Sequence, residues 1–459
     1  MKKIYFNVTT SYNWKGAPVG IVRTEKRLLD SLLSNQLEIE LFIVKRGLFL
    51  PISLSEYRKK INAGDCNGKC NKKIKKTVNS QTERWIFPIL TKKEALKNFV
   101  QAGLSLTPSL IRPILNRFLI WISKFSKQEF SPIGGNLILR NMINPRLRSL
   151  KEILFKNGDI VLSCGIDWKI HNFFENLKQQ KKKSDIKIIS FCYDIIPVNF
   201  PQFCCSNTSQ IFSEYFIKLI EASDLVVCIS NSTKLELERF SFKYKVTLPS
   251  TEVIYLGSDN KEENNCTEEF EVIPDIDLQS PFILYVSTID RRKNHELLYK
   301  AYIKAIEDGR GDSLPNLYFV GMKGGGVDDL FRDLVLDLRI KEKIKVLGRL
   351  PDLHLNKLYD KCKFVVFPSL FEGWGLGVGE AFAHGKFVLC SNKGALPEVG
   401  SVFAEYLDPY NPALWEERIL FYSANEEKLK EKEKFIRENW TPSLWKQTAQ
   451  ELTRIINSL

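Results

Sequence analysis

Short apolar runs alternate with stretches of helical spacing along most of the 459-residue chain. Residues 3–8 read as a first strand, followed by a glycine-containing loop and an amphipathic helix over 21–34. Residues 159–163, 186–192, 224–229 and 252–256 continue the series as strands. A second series opens at 282–287 and runs through 317–320, 344–347, 364–367 and 387–390. Strands alternating with helices in this way form parallel sheets covered by helices, so the expected fold class is α/β. The length exceeds one ordinary core and predicts two domains, 1–275 and 276–440, with the polar, aperiodic stretch 258–280 between the two series. Residues 423–459 are helical in pattern, and their last part, 441–459, reads as a C-terminal helix able to cross back to the first domain. Residues 45–150 break the rhythm and read as an insertion in that domain.

Hydrophobic residues make up 44% of the chain and charged residues 26%, values that exclude a disordered or collagen-like protein. The apolar run after Met1, Lys2 and Lys3 is too short for a secretory signal. No run of about 18 uncharged apolar residues predicts a membrane span. A cytoplasmic protein with reduced, scattered cysteines is therefore expected. Cys66 and Cys70 have zinc-like spacing, but no second Cys or His pair follows, so no metal site is assigned. The net charge of +13 changes meaning once it is located: residues 45–150 hold 21 basic and 5 acidic residues, a net of +16. The remainder is slightly acidic. That confinement, with no recognisable readout module, argues against nucleic-acid binding.

Two stretches carry the candidate chemistry. Residues 364–385 read as a buried strand ending at Pro368, a loop with Gly373 and Gly375, and a helix opening near Leu376 and Gly377. Bare backbone N–H groups and the helix dipole at such a junction favour phosphate. Glu372 in the loop and Glu380 on the helix are carboxylates suited to accepting hydrogen bonds from polyol hydroxyls. Residues 286–295 put three consecutive cations, Arg291, Arg292 and Lys293, between a strand and a helix. The dipole at a helix N-terminus disfavours positive charge, so a bound anion would compensate.

With Glu372 and Glu380 eight positions apart in that glycine-rich setting, the sequence resembles the retaining glycosyltransferases of family 4, which have the GT-B fold. The resemblance covers about residues 1–45 and 155–440, and within it the bacterial polysaccharide-building, mannosyltransferase-type members are the most similar. It implies two Rossmann-like domains facing a cleft, with the basic helical insertion in the first. Glu372 would touch the transferred sugar and Glu380 the nucleotide ribose, while Gly373, Trp374, Gly375 and Leu376 would offer backbone groups to sugar and phosphate. Arg292 and Lys293 would bind the donor diphosphate and stabilise the leaving group, a task other enzymes give to a metal. No cofactor and no metal are implied. Arg349 and Leu350, following Gly348, would border the nucleobase; Gly20 and Arg23 fit the family's first loop. Asp194 would lie near the reacting sugar. Trp374 stands where Phe is usual, Gly377 and Gly379 where Pro and Leu are common, and Tyr193 where many relatives have His. Residues 229–233 fit a helix N-cap after a strand, a structural role. Residues 321–326 lack a dinucleotide fingerprint and read as a surface turn.

The expected reaction is hexosyl transfer from a nucleotide-diphosphate sugar, GDP-mannose or a UDP-sugar, to a growing, lipid-linked surface glycan. The departures at Tyr193, Gly377 and Gly379 keep open a non-catalytic nucleotide-sugar-binding or scaffold subunit. In the insertion, Ile114, Leu115, Phe118, Leu119, Trp121, Ile122 and Phe125 recur on one helical face, with Arg117 and Lys124 on the other. That composition suits a segment lying on an anionic membrane surface, which would make the enzyme peripheral on the inner face of the cytoplasmic membrane. It equally suits a helix packed on the first domain.

Overall fold

The computed structural model describes residues 2–15, 20–35, 37–65, 152–204, 207–258, 276 and 278–459. The basic run at 69–76, the amphipathic face at 114–125, Cys66 and Cys70, and most of the 258–280 stretch lie outside the described residues. Residues 1–61 and 152–459 belong to one compact unit.

The first sheet has seven strands in the order β3-β2-β1-β4-β5-β6-β7. They are β1 (Ile4–Asn7), β2 (Ile39–Lys45), β3 (Leu48–Ile52), β4 (Ile160–Ser163), β5 (Lys187–Cys192), β6 (Leu225–Cys228) and β7 (Ser250–Val253). All pairs are parallel except β2 with β3. Helices α1 (Thr9–Asn13), α2 (Ile21–Ser34), α3 (Leu54–Asp65), α4 (Phe173–Ser184), α5 (Ile196–Asn199), α6 (Thr208–Ala222) and α7 (Asn231–Tyr244) link them. Alternate side chains enter opposite faces, as the pleat requires. Phe6, Leu162, Ile189 and Val227 join one core cluster and Tyr5, Val161, Ile188 and Val226 the other.

The second sheet has the order β10-β9-β8-β11-β12-β13, all parallel. Its strands are β8 (Phe282–Val286), β9 (Asn316–Val320), β10 (Ile344–Gly348), β11 (Val365–Phe367), β12 (Val388–Ser391) and β13 (Ala404–Leu407). Helices α8 (His295–Glu307), α9 (Asp328–Leu336), α10 (Asp352–Lys361), α11 (Leu376–Ala383), α12 (Leu396–Gly400), α13 (Pro412–Ala424) and α14 (Glu426–Asn439) connect and follow them, and α15 (Trp445–Ser458) ends the chain. Central strands such as β11 and β12 are buried along their length, as expected for a parallel sheet covered on both faces.

These are two Rossmann-like sheets, and the architecture is GT-B. Each reverses strand order once, between β1 and β4 and between β8 and β11. In open α/β sheets ligands bind beyond the carboxyl ends of the strands at such a reversal.

Three sequence expectations shift. Residues 45–52 continue the first sheet instead of opening the insertion: Arg46 and Gly47, at φ 54° and 77°, make a two-residue turn, and β3 returns antiparallel along β2. Pro51 is tolerated there because β3 is the sheet edge, where a missing N–H breaks no inner ladder. The strand expected at 252–256 is β7 at Ser250–Val253. Strands β2 and β13 went unread. The last helix, α15, packs Trp445, Ala449, Leu452, Ile455 and Ile456 into the same core as Phe6 and Leu28 of the first domain.

Candidate donor site between the two sheets

Residues from both domains meet beyond the carboxyl ends of β5, β8 and β11. After β8 the chain makes one 3₁₀ turn, Arg291–Lys293, started by Asp290, whose side chain accepts from the Lys293 N–H at 3.0 Å. This turn delivers both cations to one carboxylate. Arg292 Nη1 lies 2.6 Å from Glu372 Oε2, and Lys293 Nζ pairs with Glu372 Oε1. Arg292 also donates to the Phe371 carbonyl at 2.8 Å, and its own carbonyl accepts from Leu370 at 2.8 Å. The Lys293 ammonium stands 5.3 Å from the centre of the Phe367 ring.

Glu372 is 7% exposed, so burial alone would raise its pKa; the charges of Arg292 and Lys293 outweigh that and hold it down to about 2. Burial pulls Lys293 below its ordinary value, and Glu372 opposes the shift. The carboxylate is ionised at neutral pH and shared by two cations.

Asp194, after β5, comes from the other domain. Its carboxylate accepts from the Ile196 N–H at 3.0 Å. Burial raises its pKa, and Arg292 is the leading influence against that rise. The two domains touch here without space to spare, since a Cβ on Gly373 would collide with the Tyr193 carbonyl and crowd Asp194. Tyr193 turns its hydroxyl into the first domain, donating to the Cys164 carbonyl at 2.5 Å.

Gly375, at φ 123°, leads into α11, whose first residue is Leu376. Glu380 lies one turn further and receives Arg23 Nη1 of α2 at 3.0 Å, an ion pair across the two domains. Burial raises the Glu380 pKa, with Arg23 opposing. Gly20, at φ 48°, is the exposed N-cap of α2. Thus Asp194, Arg292, Lys293, Glu372 and Gly373 are drawn together, while Glu380 pairs with Arg23 of the first domain. Arg349 and Leu350 follow β10, two strands from β8; Arg349 is exposed and Leu350 packs on the second core.

The glycine-rich stretch 321–326 is the largely exposed turn expected of it, and it is also hydrogen-bonded to the cation turn. Gly324 N donates to Ile289 O at 2.7 Å, and Arg291 N to Gly325 O at 3.2 Å. Sequence reasoning missed Tyr255, Glu398 and the cross-domain bond of Ser230. Ser230 is the N-cap expected of residues 229–233, accepting from Thr233 N at 3.0 Å, yet its hydroxyl also donates to the Gly373 carbonyl at 2.9 Å. Trp374 stacks on Tyr255 of the first domain, with ring centroids 5.1 Å apart. Among the described residues no group of three or more His, Cys, Asp or Glu could hold a metal ion, and no helix is long and apolar enough to cross a membrane.

Residues 267–439 match the family model described as Glycosyl transferases group 1. The serotype-specific mannosyltransferase WbdA of Escherichia coli is 22% identical over 318 residues, 66% of this chain and 38% of that protein. The O-antigen chain mannosyltransferase B of Escherichia coli is 27% identical over 46% of this chain and 55% of its own length. A Campylobacter jejuni N-acetylgalactosaminyltransferase acting on a diphospho-undecaprenol-linked sugar is 27% identical over 41% of this chain and 47% of its own. The chain therefore spans about half or less of these curated relatives. Among solved structures, sucrose-phosphate synthase from Thermosynechococcus elongatus aligns over 100% of this chain and 99% of its own at a TM-score of 0.55 and 15% identity. HepE from Anabaena, solved with UDP and glucose, aligns over 100% of both chains at 0.53 and 12%. These structures share the fold.

Proposed function

We propose that the protein is a retaining glycosyltransferase that moves a hexosyl group, mannose in preference, from a nucleotide-diphosphate sugar to a growing lipid-linked surface glycan. The observation that carries this reading is the pair Arg292 and Lys293 converging on Glu372 at the strand reversal of the second sheet. Two fixed cations there stabilise the negative charge that develops on a departing nucleoside diphosphate. Glu372, displaced from them by the diphosphate, is free to accept hydrogen bonds from the transferred sugar. The names of the mannosyltransferase relatives, and the match of the group 1 model to the domain that holds these residues, support the choice of reaction and donor.

In this reading Asp194 faces the reacting sugar from the acceptor side, and Glu380 exchanges Arg23 for the donor ribose. The acceptor meets the first domain, with the basic segment near an anionic membrane surface. The cations do the work of a metal, so EDTA leaves activity intact.

A thermal-unfolding screen of nucleotide sugars tests donor binding. A ligand at 100 times its dissociation constant stabilises by about 2.7 kcal/mol, so the preferred donor stands out from its neighbours. GDP-mannose is expected to give the largest shift. The absence of a shift with every UDP- and GDP-sugar overturns the reading.

A further inference from the structure

The peptide that carries Glu372 is held from both domains at once. On its own side, the Glu372 carbonyl accepts from Ala395 N at 2.9 Å. Gly394 makes this approach possible: at φ 62° and pressed on the Glu372 backbone, it leaves no room for a Cβ. From the other domain, the Gly373 carbonyl accepts from Ser230 Oγ at 2.9 Å and from Thr233 Oγ1 at 3.4 Å. These two supports are tied to each other. Glu398, on α12 just after Ala395, accepts from Asn231 N at 2.8 Å and Ser232 N at 2.7 Å, capping α7 across the domain boundary. It also lies 3.5 Å from the Tyr255 hydroxyl, and Tyr255 carries Trp374.

The contacts form a closed circuit: Glu372 and Gly373 to Ser230, Ser230 to Asn231 and Ser232, these to Glu398, and Glu398 through α12 to Ala395 and back. A carboxylate on a helix N-terminus satisfies orphan N–H groups and complements the dipole. Here the helix and the carboxylate belong to different domains, so the cap is also a join. We propose that Glu398 is a positioning residue that fixes the Glu372 peptide by locking α7 to the loop at 371–375. The inference rests on the proposed glycosyl transfer. It extends that reading by making the sugar-facing carboxylate depend on domain docking.

Glu398→Ala opens the circuit without touching Arg292 or Lys293, which hold the diphosphate. Hydrogen exchange on the ligand-free full chain should then speed up together in peptides covering 371–376 and 230–233. With the donor found by thermal shift, kcat should fall by about 10²-fold, the scale of a 1 Å misplacement, while protection by the nucleoside diphosphate stays as in the wild type. Glu398→Gln keeps one acceptor oxygen and should recover part of the rate. Ser230→Ala opens the circuit on the far side at the cost of one hydroxyl, and its effect should be non-additive with Glu398→Ala. Unchanged exchange at 371–376 overturns the proposal, as does an unchanged kcat or an equal loss of diphosphate binding. If the wild type turns over no donor, the transfer reading fails by itself, and the exchange measurement still decides the circuit.

Discussion

Glu372 gives one oxygen to Arg292 and the other to Lys293, and the next two residues, Gly373 and Trp374, contact the first domain. The two halves were readable because each sits in a compact motif, three cations after a strand and a carboxylate in a glycine loop before a helix; that they pair with each other was not. Glu398 and the cross-domain bond of Ser230 were not readable. Their partners are more than 140 residues away, and a helix cap supplied by another domain leaves no local pattern. A second feature is also tertiary in origin. Glu25 of α2 is fully buried beside Ser11, Cys164 and Asp167, accepts from Ser11 N at 2.7 Å, and is pushed by burial from 4.5 up to about 8. Its neighbours Thr10, Tyr57 and Tyr193 bring no positive charge. A raised folded-state pKa means stability that is complete below the unfolded value near 4.5 and lost as pH rises through about 8. Asp167, raised by burial to about 7, adds a loss of the same sign. Melting temperatures from pH 5 to 9 should therefore decline, and Glu25→Gln should make the decline shallower. An identical decline in the variant would contradict this assignment.

At the scale of elements, the strands that were legible are those buried on both faces, such as β8, β11 and β12, where apolar runs leave little ambiguity. The helix expected over 21–34 is α2 at Ile21–Ser34 because Val22, Leu28, Leu29 and Leu32 recur on one face. The β2–β3 hairpin was missed because Arg46 and Gly47 lack the Asn-Gly or Asp-Gly signature of a two-residue turn, although both take positive φ. Residues 441–459 were expected as a helix able to cross back to the first domain, and α15 packs into that domain's core with Phe6 and Leu28. Trp445 is 4% exposed within the first domain's core. Trp445→Ala should cost about 3–5 kcal/mol in urea unfolding, the range for deleting a buried aromatic side chain. A cost under about 1 kcal/mol, the scale of a surface change, would mean that α15 is not integral to that core.

For the whole molecule, two sheets with matching strand reversals place the cation turn and the glycine loop of the second domain against Asp194 and α7 of the first. The net charge of +13 has little part in this, since residues 45–150 alone carry a net of +16 and the frame that builds the site is slightly acidic. Net charge and chemistry are separate properties of this chain. In the proposed reaction the cleft breaks a nucleotide sugar through cations that a carboxylate guards. Nucleoside-diphosphate release from the preferred donor, measured with EDTA present in wild type and Glu372→Gln, tests it most directly. Release by the wild type, its collapse by about 10²-fold or more in the variant, and retained diphosphate binding in both are the predicted result. Binding without release by the wild type, from any donor and with any acceptor, would contradict the account and leave a nucleotide-sugar-binding subunit in its place.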